Sequence, residues 1–434
     1  MSTPRNAVPR YAPLTYSAGN FAVGLMTQAF AAFVLYFYVD YLGASPLYIS
    51  YAMAVHGIFN AVLNPLVGQL SDATRTRFGR RIPYIAFGFL PLALVYGLLW
   101  NPPANPNLLV LYFLFIVFLY DSLFVLVVLN WTALYPEMFP TPEERTSVAA
   151  LRQFFGFLGM ISGMVIPPLI ASRTGWSAFG WIAAGFVSLF LGVSLLGARE
   201  REPSTTGTLP LWTSLKVTLT NRTFLVFVVA NLAVQTGFAL LTATVPFYAK
   251  YLLRLPEEKT ALLYAAILLP SLLAMFIWGY VLKYVPPRRA VITALVYLSA
   301  LLVSFFFVTN LAIALAAGVL FGFGLAGVVI LFDILLAEVI DDDARRNGVR
   351  REGIYYGVNG FVIRLSVTLQ AILTGTVLTL GGYVPHAASQ VPSALLAIRS
   401  LMGIWPMFFL LVAILLFRVF PLGRFPQNPD APPS

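Results

Sequence analysis

Residues Gly68–Tyr84 read GQLSDATRTRFGRRIPY. One apolar run ends at the start of this stretch and another begins inside it, at Ile82. Between them lie Arg75, Arg77, Arg80 and Arg81. Two long apolar segments joined by a short basic turn are the pattern of consecutive transmembrane helices connected on the cytoplasmic side. The pattern has a weaker echo later in the chain, where Gly279-Tyr280-Val281-Leu282-Lys283 is followed by Pro286-Pro287-Arg288-Arg289.

Working outward, twelve apolar segments can be read. The first six lie at about 15–40, 46–70, 83–100, 107–133, 148–171 and 178–197. The second six lie at about 224–250, 259–283, 289–309, 312–338, 353–380 and 395–420. A span needs about 20 apolar residues, so twelve use most of the 434. Apolar residues make up 59% of the chain and charged residues 10%, against about 25% charged in an ordinary soluble domain. The mean hydropathy is +0.84. Backbone polar groups in lipid must be satisfied within their own segment, so these spans are helices. The expectation is an all-α membrane protein with twelve transmembrane helices in two six-helix halves. The predicted boundaries are 1–198, a polar cytoplasmic linker at 199–222, and 223–434.

The same composition excludes several functions. There is no cysteine, hence no disulfide, thiolate metal site or cysteine nucleophile. His56 and His386 are the only histidines, and they are far apart in the chain. No metal and no cofactor is expected. The net charge of +10 reads as a topology signal, not as a nucleic-acid surface. With the N-terminus placed in the cytoplasm, 20 of the 27 basic residues fall on that side. Only Arg173, Lys250, Arg254, Lys259 and Arg399 fall outside, while Arg152 and Arg364 lie within helices. Both termini are therefore expected in the cytoplasm of a multi-pass cell-membrane protein. The N-terminus, MSTPRNAVPRYAP, is polar and reads as no cleavable signal peptide. An intramembrane aspartyl protease would need a Gly-x-Gly-Asp partner for Tyr120-Asp121. Asp333 instead follows Ile330-Leu331-Phe332, so no enzyme is expected.

The loop at Gly68–Tyr84 resembles the helix 2–3 signature of the major facilitator superfamily. Its form D-x-T-R-[ST]-R-x-G-[RK]-x-x-P is similar to that of the glycoside–pentoside–hexuronide:cation symporters, the family of the melibiose permease. Further stretches agree: Ala133-Leu134-Tyr135-Pro136-Glu137, Arg152-Gln153-Phe154-Phe155, Ala337-Glu338-Val339-Ile340-Asp341, and Gly348–Tyr356. The resemblance implies a major facilitator fold, two halves rocking about a central cavity, and sugar transport. It matches Arg152 to the family's sugar-contacting arginine and Arg364 to its intramembrane lysine.

Charges at bilayer depth cost about 2.5–3.5 kcal/mol each on insertion scales, so they are candidates for function. Asp121, Arg152 and Arg364 stand out. Asp121 lies mid-span between LFIVFLY and SLFVLVV. Apolar surroundings favour a neutral carboxyl group, which makes Asp121 the candidate proton site. Its spacing of twelve residues to Ala133 resembles helix 4 of plant sucrose–proton symporters. His56, Asn60 and Asn64 share one face of helix 2 at i, i+4, i+8, and His56 joins Asp121 as a proton-coupling candidate. Asn60, Asn64, Gln28, Asn231, Gln235, Tyr356 and Asn359, with the two arginines, are the candidate substrate contacts. Gly68, Asp72, Arg75, Arg77 and Arg80 are read as a latch between the halves. A charge pair between Asp121 and Arg364 is expected to bridge the empty cavity, with a bond inside the first half, to Arg152, as its alternative.

The chain also departs from the family. The resemblance places Asn60, Asn64, Val128 and Gly24 where the melibiose permease has carboxylates. Na⁺ favours charged oxygen ligands, so proton coupling is expected in place of sodium coupling. The expected partners are a small solute, H⁺ and the lipid bilayer, with no nucleic acid, and the chain is expected to be a monomer. Two arginines against one acid suit a glycoside or an anionic, hexuronide-type sugar. A lysolipid or other amphiphilic anion is the alternative.

Overall fold

The computed structural model describes residues 9–139, 141–200, 218, 220–347 and 352–423. Among these the secondary structure is helical, with no strand. In the first half the helices are α1 (Ala12–Tyr41), α2 (Pro46–Ala73), α3 (Ile82–Leu99) and α4 (Pro106–Met138). They are followed by a continuous stretch, Pro142–Gly197, of 56 residues. At 1.5 Å per residue that stretch is far longer than a bilayer core of about 30 Å. Gly175, at φ 86 and ψ 163, breaks it, giving α5 (142–174) and α6 (176–197). The positive φ makes glycine the natural residue at this sharp turn.

In the second half the helices are α7 (Arg222–Leu252), α8 (Glu257–Val281), α9 (Pro287–Phe307), α10 (Leu311–Asn347), α11 (Glu352–Leu380) and α12 (Pro392–Val419). Proline opens α2, α9 and α12 in their first turn, where its missing N–H costs nothing. Ten spans among the described residues are apolar enough to cross a membrane. Dividing the longest of them at Gly175 and adding α2 gives twelve helices among the described residues.

The chain forms two compact units. The first comprises Met1–Thr206, Leu255–Ala261 and Val384–Ser389; the second is the remainder. Most of the 199–222 linker lies outside the described residues. Two short segments from the second half of the sequence thus belong to the first unit. The only described non-glycine residues with positive φ are Arg254, which abuts one of these segments, and His386, which lies in the other. His386 rests on Gly43, where a Cβ would come within 2.8 Å of the imidazole Nε2.

Within the first unit α1 and α5 meet backbone to backbone. A Cβ on Gly24 would stand 2.6 Å from the Gly156 carbonyl oxygen, and one on Gly163 would stand 2.7 Å from the Leu25 carbonyl oxygen. Small residues at such seams allow the close approach that drives helix association in lipid.

The start of α3 is also fixed. Glu200, just beyond α6, accepts hydrogen bonds from the backbone N–H of Arg80 (2.7 Å), Arg81 (2.6 Å) and Ile82 (2.8 Å). The carboxylate therefore caps the positive end of the α3 dipole. Gly79, at φ 105, makes room for it, since a Cβ there would run into the Glu200 carboxylate.

Candidate functional site

In the first unit α2 and α4 bring the two proton-coupling candidates together. His56 Nε2 lies 2.6 Å from Asp121 Oδ2. Neither of these two atoms has another hydrogen-bonding partner among the described residues. The side chains are 13% and 6% exposed. Phe30 of α1 covers the pair, with its ring 5.9 Å from His56 and stacked 5.6 Å from Tyr120. Directly after this turn α4 widens into a π-helical turn at Val125–Leu129, a feature that often accompanies functional positions. The alternative of a bond between Asp121 and Arg152 does not hold, because His56 takes that place. Arg364 belongs to the second unit.

Below His56 on the same face, Asn64 Nδ2 donates to Asn60 Oδ1 (2.9 Å) and to the Asn60 carbonyl oxygen (2.8 Å). The polar stripe of α2 is thus an amide pair next to a histidine–carboxylate pair. Gly24, by contrast, cannot carry a contact group, because its Cβ position is filled by the α5 backbone. Val128 lies within the π-helical turn of α4.

Arg152 sits in an aromatic enclosure. Its guanidinium lies 4.4 Å from the Tyr135 ring centroid, 5.1 Å from that of Trp131 and 5.9 Å from that of Tyr16. Such contacts contribute about 0.5–2 kcal/mol each. Tyr16 donates to the Trp131 carbonyl oxygen (2.6 Å), and Asn20 donates to that of Arg152 (2.7 Å). The Arg152 Nε is buried and has no hydrogen-bonding partner among the described residues. This cation is held by π-faces and carries an unused donor.

In the second unit Asn231 Nδ2 donates to Asn359 Oδ1 at 2.6 Å, which joins α7 to α11. Asn231 Oδ1 is buried without a partner among the described residues. Tyr356 and Arg364 are exposed on α11. Gln28 on α1 and Gln235 on α7 are half-buried.

Three arginines of the expected latch, Arg75, Arg77 and Arg80, have contacts inside the first unit. Arg80 Nη2 and Arg81 Nε bind one oxygen of Glu137, at 2.6 and 3.0 Å, within the first unit. Arg77 stacks on Phe78 at 4.6 Å, and Arg75 donates to the Thr74 carbonyl oxygen. Gly68 lies in α2, where a Cβ would meet Leu129 at an ordinary contact distance of 3.9 Å. The side chain of Asp72 lies outside the described residues.

Sequence reading passed over Trp176. Its indole Nε1 donates to Glu257 Oε1 at 3.0 Å. Trp176 stacks on Trp100 at 5.3 Å and packs against Phe33, Phe37 and Phe179. An aromatic count alone could have flagged the cluster, but not its carboxylate partner.

Residues 15–424 match the family described as MFS/sugar transport protein. The chain belongs to that family. It is a transporter and not an enzyme, and its relatives fit the glycoside–pentoside–hexuronide:cation symporters. The isoprimeverose transporter of Lactiplantibacillus pentosus is 25% identical over 410 residues, covering 91% of this chain and 85% of the relative. A Salmonella typhimurium protein provisionally named as a sulfoquinovose importer is 27% identical over 439 residues, with coverage of 93% and 88%. The crystal structure of the nucleoside transporter NupG superposes with a TM-score of 0.69 at 10% identity, covering 95% of this chain and 99% of that one. That likeness establishes the major facilitator fold. The protein is multi-pass and membrane-embedded.

Proposed function

We propose that this transporter is a proton-coupled symporter of a glycoside or hexuronide-type sugar, working by rocker-switch alternating access. The observation that carries the coupling is the contact between His56 and Asp121. A buried carboxylate 2.6 Å from an imidazole can share one proton with it as a net-neutral pair, and giving that proton up leaves one negative charge for a bound solute to compensate. A bound solute would bias that choice, and by linkage the proton would bias solute affinity equally. Asn60 and Asn64 are bonded to each other and offer neutral oxygens, which are poor Na⁺ ligands.

The solute class follows from the family and the cations. Relatives carry the names of an isoprimeverose transporter and a sulfoquinovose importer, one solute neutral and one anionic. Arg152, with its free Nε, suits the carboxylate of a hexuronide. Arg364, Asn231, Asn359, Gln28, Gln235 and Tyr356 complete the proposed contacts. The proposed topology has both termini in the cytoplasm of the cell membrane, halves at 1–198 and 223–434, and a monomeric chain. A cysteine placed at Ser204, which lies outside the described residues, would then label only from the cytoplasm.

The test is uptake of labelled glycosides and hexuronates into proteoliposomes under an inward proton gradient. Accelerated uptake of one of these classes is expected. Transport that ignores the gradient for every sugar tried would remove the proton from the mechanism.

A further inference from the structure

The two halves of the chain repeat a short pattern at the ends of α1 and α7. Phe37–Leu42 reads FYVDYL and Phe247–Leu252 reads FYAKYL. Both helices widen there into a π-helical turn. In both, the first tyrosine of the pattern pins the helix end inside its own unit. Tyr38 donates to the Leu99 carbonyl oxygen at the end of α3 (2.8 Å). Tyr248 donates to the carbonyl oxygens of Phe305 and Val308 at the end of α9 (2.8 and 3.1 Å). α7 is therefore fixed in the second unit as far as its last turn.

A few residues later the chain is fixed in the first unit. The Leu255–Ala261 segment belongs there, and Glu257 Oε1 accepts from the Trp176 indole at 3.0 Å. Trp176 is the first residue of α6 after the Gly175 corner and is 1% exposed. Its ring is held by Trp100, Phe33 and Phe37, so it is a rigid anchor. A buried indole N–H needs an acceptor, and a carboxylate is a strong one. From Leu262 onward α8 runs in the second unit again. The segment is thus a strap that leaves the second unit, seats on the first and returns.

The backbone at the start of this strap is strained. Arg254, the residue before it, has φ 52, a left-handed conformation that any residue with a Cβ resists. Such strain persists where surrounding contacts impose it, and it collects at switch regions. The second strap, Val384–Ser389, shows the same feature. His386 has φ 58 and lies against Gly43.

We propose that the Leu255–Ala261 strap is a clasp that controls opening at the end of the bundle opposite the Gly68–Tyr84 loop. While Glu257 holds Trp176, the first turn of α8 is tied to α6, and the clasp must release before that end can open. The strain at Arg254 opposes the bond, so the clasp is poised and not permanent. This role rests on alternating access, but on neither the proton nor the identity of the sugar.

The experiment uses the full chain in lipid nanodiscs, with no solute present. The chain has no cysteine, so Thr260→Cys places a single thiol on the strap, at a position that is 4% exposed. Its labelling rate by a maleimide reports release. In that background Glu257→Ala should speed labelling on the order of tenfold, since it removes a charged acceptor. Glu257→Gln, which keeps an oxygen, should fall between. Arg254→Gly should slow labelling by about fivefold, because glycine carries no left-handed penalty. In a second background, spin labels at Ala104 and Thr309 sit on exposed connections of the first and second units. Glu257→Ala should shift their separation toward longer distances, and Arg254→Gly should narrow it. Labelling unmoved by Glu257→Ala overturns the clasp. So does faster labelling with an unchanged separation, which would reduce the strap to a frayed loop. Faster labelling in Arg254→Gly overturns the opposing role of the strain.

Discussion

His56 and Asp121 lie 65 positions apart in the sequence and 2.6 Å apart in space, on two helices of the same half. Removing one partner of a buried polar pair leaves the other unsatisfied, which costs about 1–3 kcal/mol and more where it is charged. His56→Gln should therefore destabilise the protein more than the double variant with Asp121→Asn. A double-mutant cycle on thermal stability in detergent measures this coupling. Additive effects would mean that the contact has no energetic weight.

Asp121→Asn should separate exchange from accumulation. The amide keeps the shape of the site but cannot trade a proton. Solute counterflow should persist, while acceleration by an inward pH gradient should disappear. Unchanged gradient-driven uptake would assign the coupling proton to another residue.

Sodium should be dispensable. Replacing Na⁺ with K⁺ at fixed pH should leave proteoliposome uptake unaltered, because Asn60 Oδ1 already accepts from Asn64 and the Val128 side chain offers no oxygen. A steep sodium dependence would show that cation ligands exist elsewhere in the chain.

Restoring a carboxylate at Gly24 should fail. A Cβ there meets the Gly156 carbonyl oxygen at 2.6 Å, and overpacking of this kind costs about 1–3 kcal/mol. Gly24→Ala should already lower the melting temperature, and Gly24→Asp should lower it further without tightening sugar binding. Tighter binding in the aspartate variant would mean that α1 and α5 can part readily.

Glu257→Ala should release the Leu255–Ala261 segment. It removes the acceptor of the Trp176 indole, and a hydrogen bond to a charged group contributes about 1.5–3 kcal/mol. Amide exchange across this segment should quicken by roughly tenfold or more, with α1 to α5 unaffected. Unchanged exchange would show that other contacts hold the segment.

Much of this architecture was legible in the chain. Apolar run lengths place the helices, and the loop at Gly68–Tyr84 points to the family. His56, Asp121, Asn60 and Asn64 could each be singled out, because a polar group within an apolar span is conspicuous. Their pairing was not legible, since it depends on how far α2 turns toward α4. Asp121 was expected to reach Arg364 or Arg152. Hydropathy says nothing about which polar group a neighbouring helix presents. Gly24 looked like a missing carboxylate, and only packing shows that a backbone fills its place. Glu200 lies just beyond α6 and Glu257 at the very start of α8, where a carboxylate is unremarkable until its partners are known.

The cap that Glu200 places on α3 also sets a load path. Glu200 stands three residues past the end of α6 and grips the first turn of α3. A pull arriving along the chain from residue 201 onward would be shared between α6 and α3 before it could unwind either. α3 in turn bears at Gly88 on Val127, in the widened turn of α4 that follows Asp121. Force applied to the chain beyond residue 200 would thus be delivered to the neighbourhood of the histidine–carboxylate pair, with α3 acting as the strut.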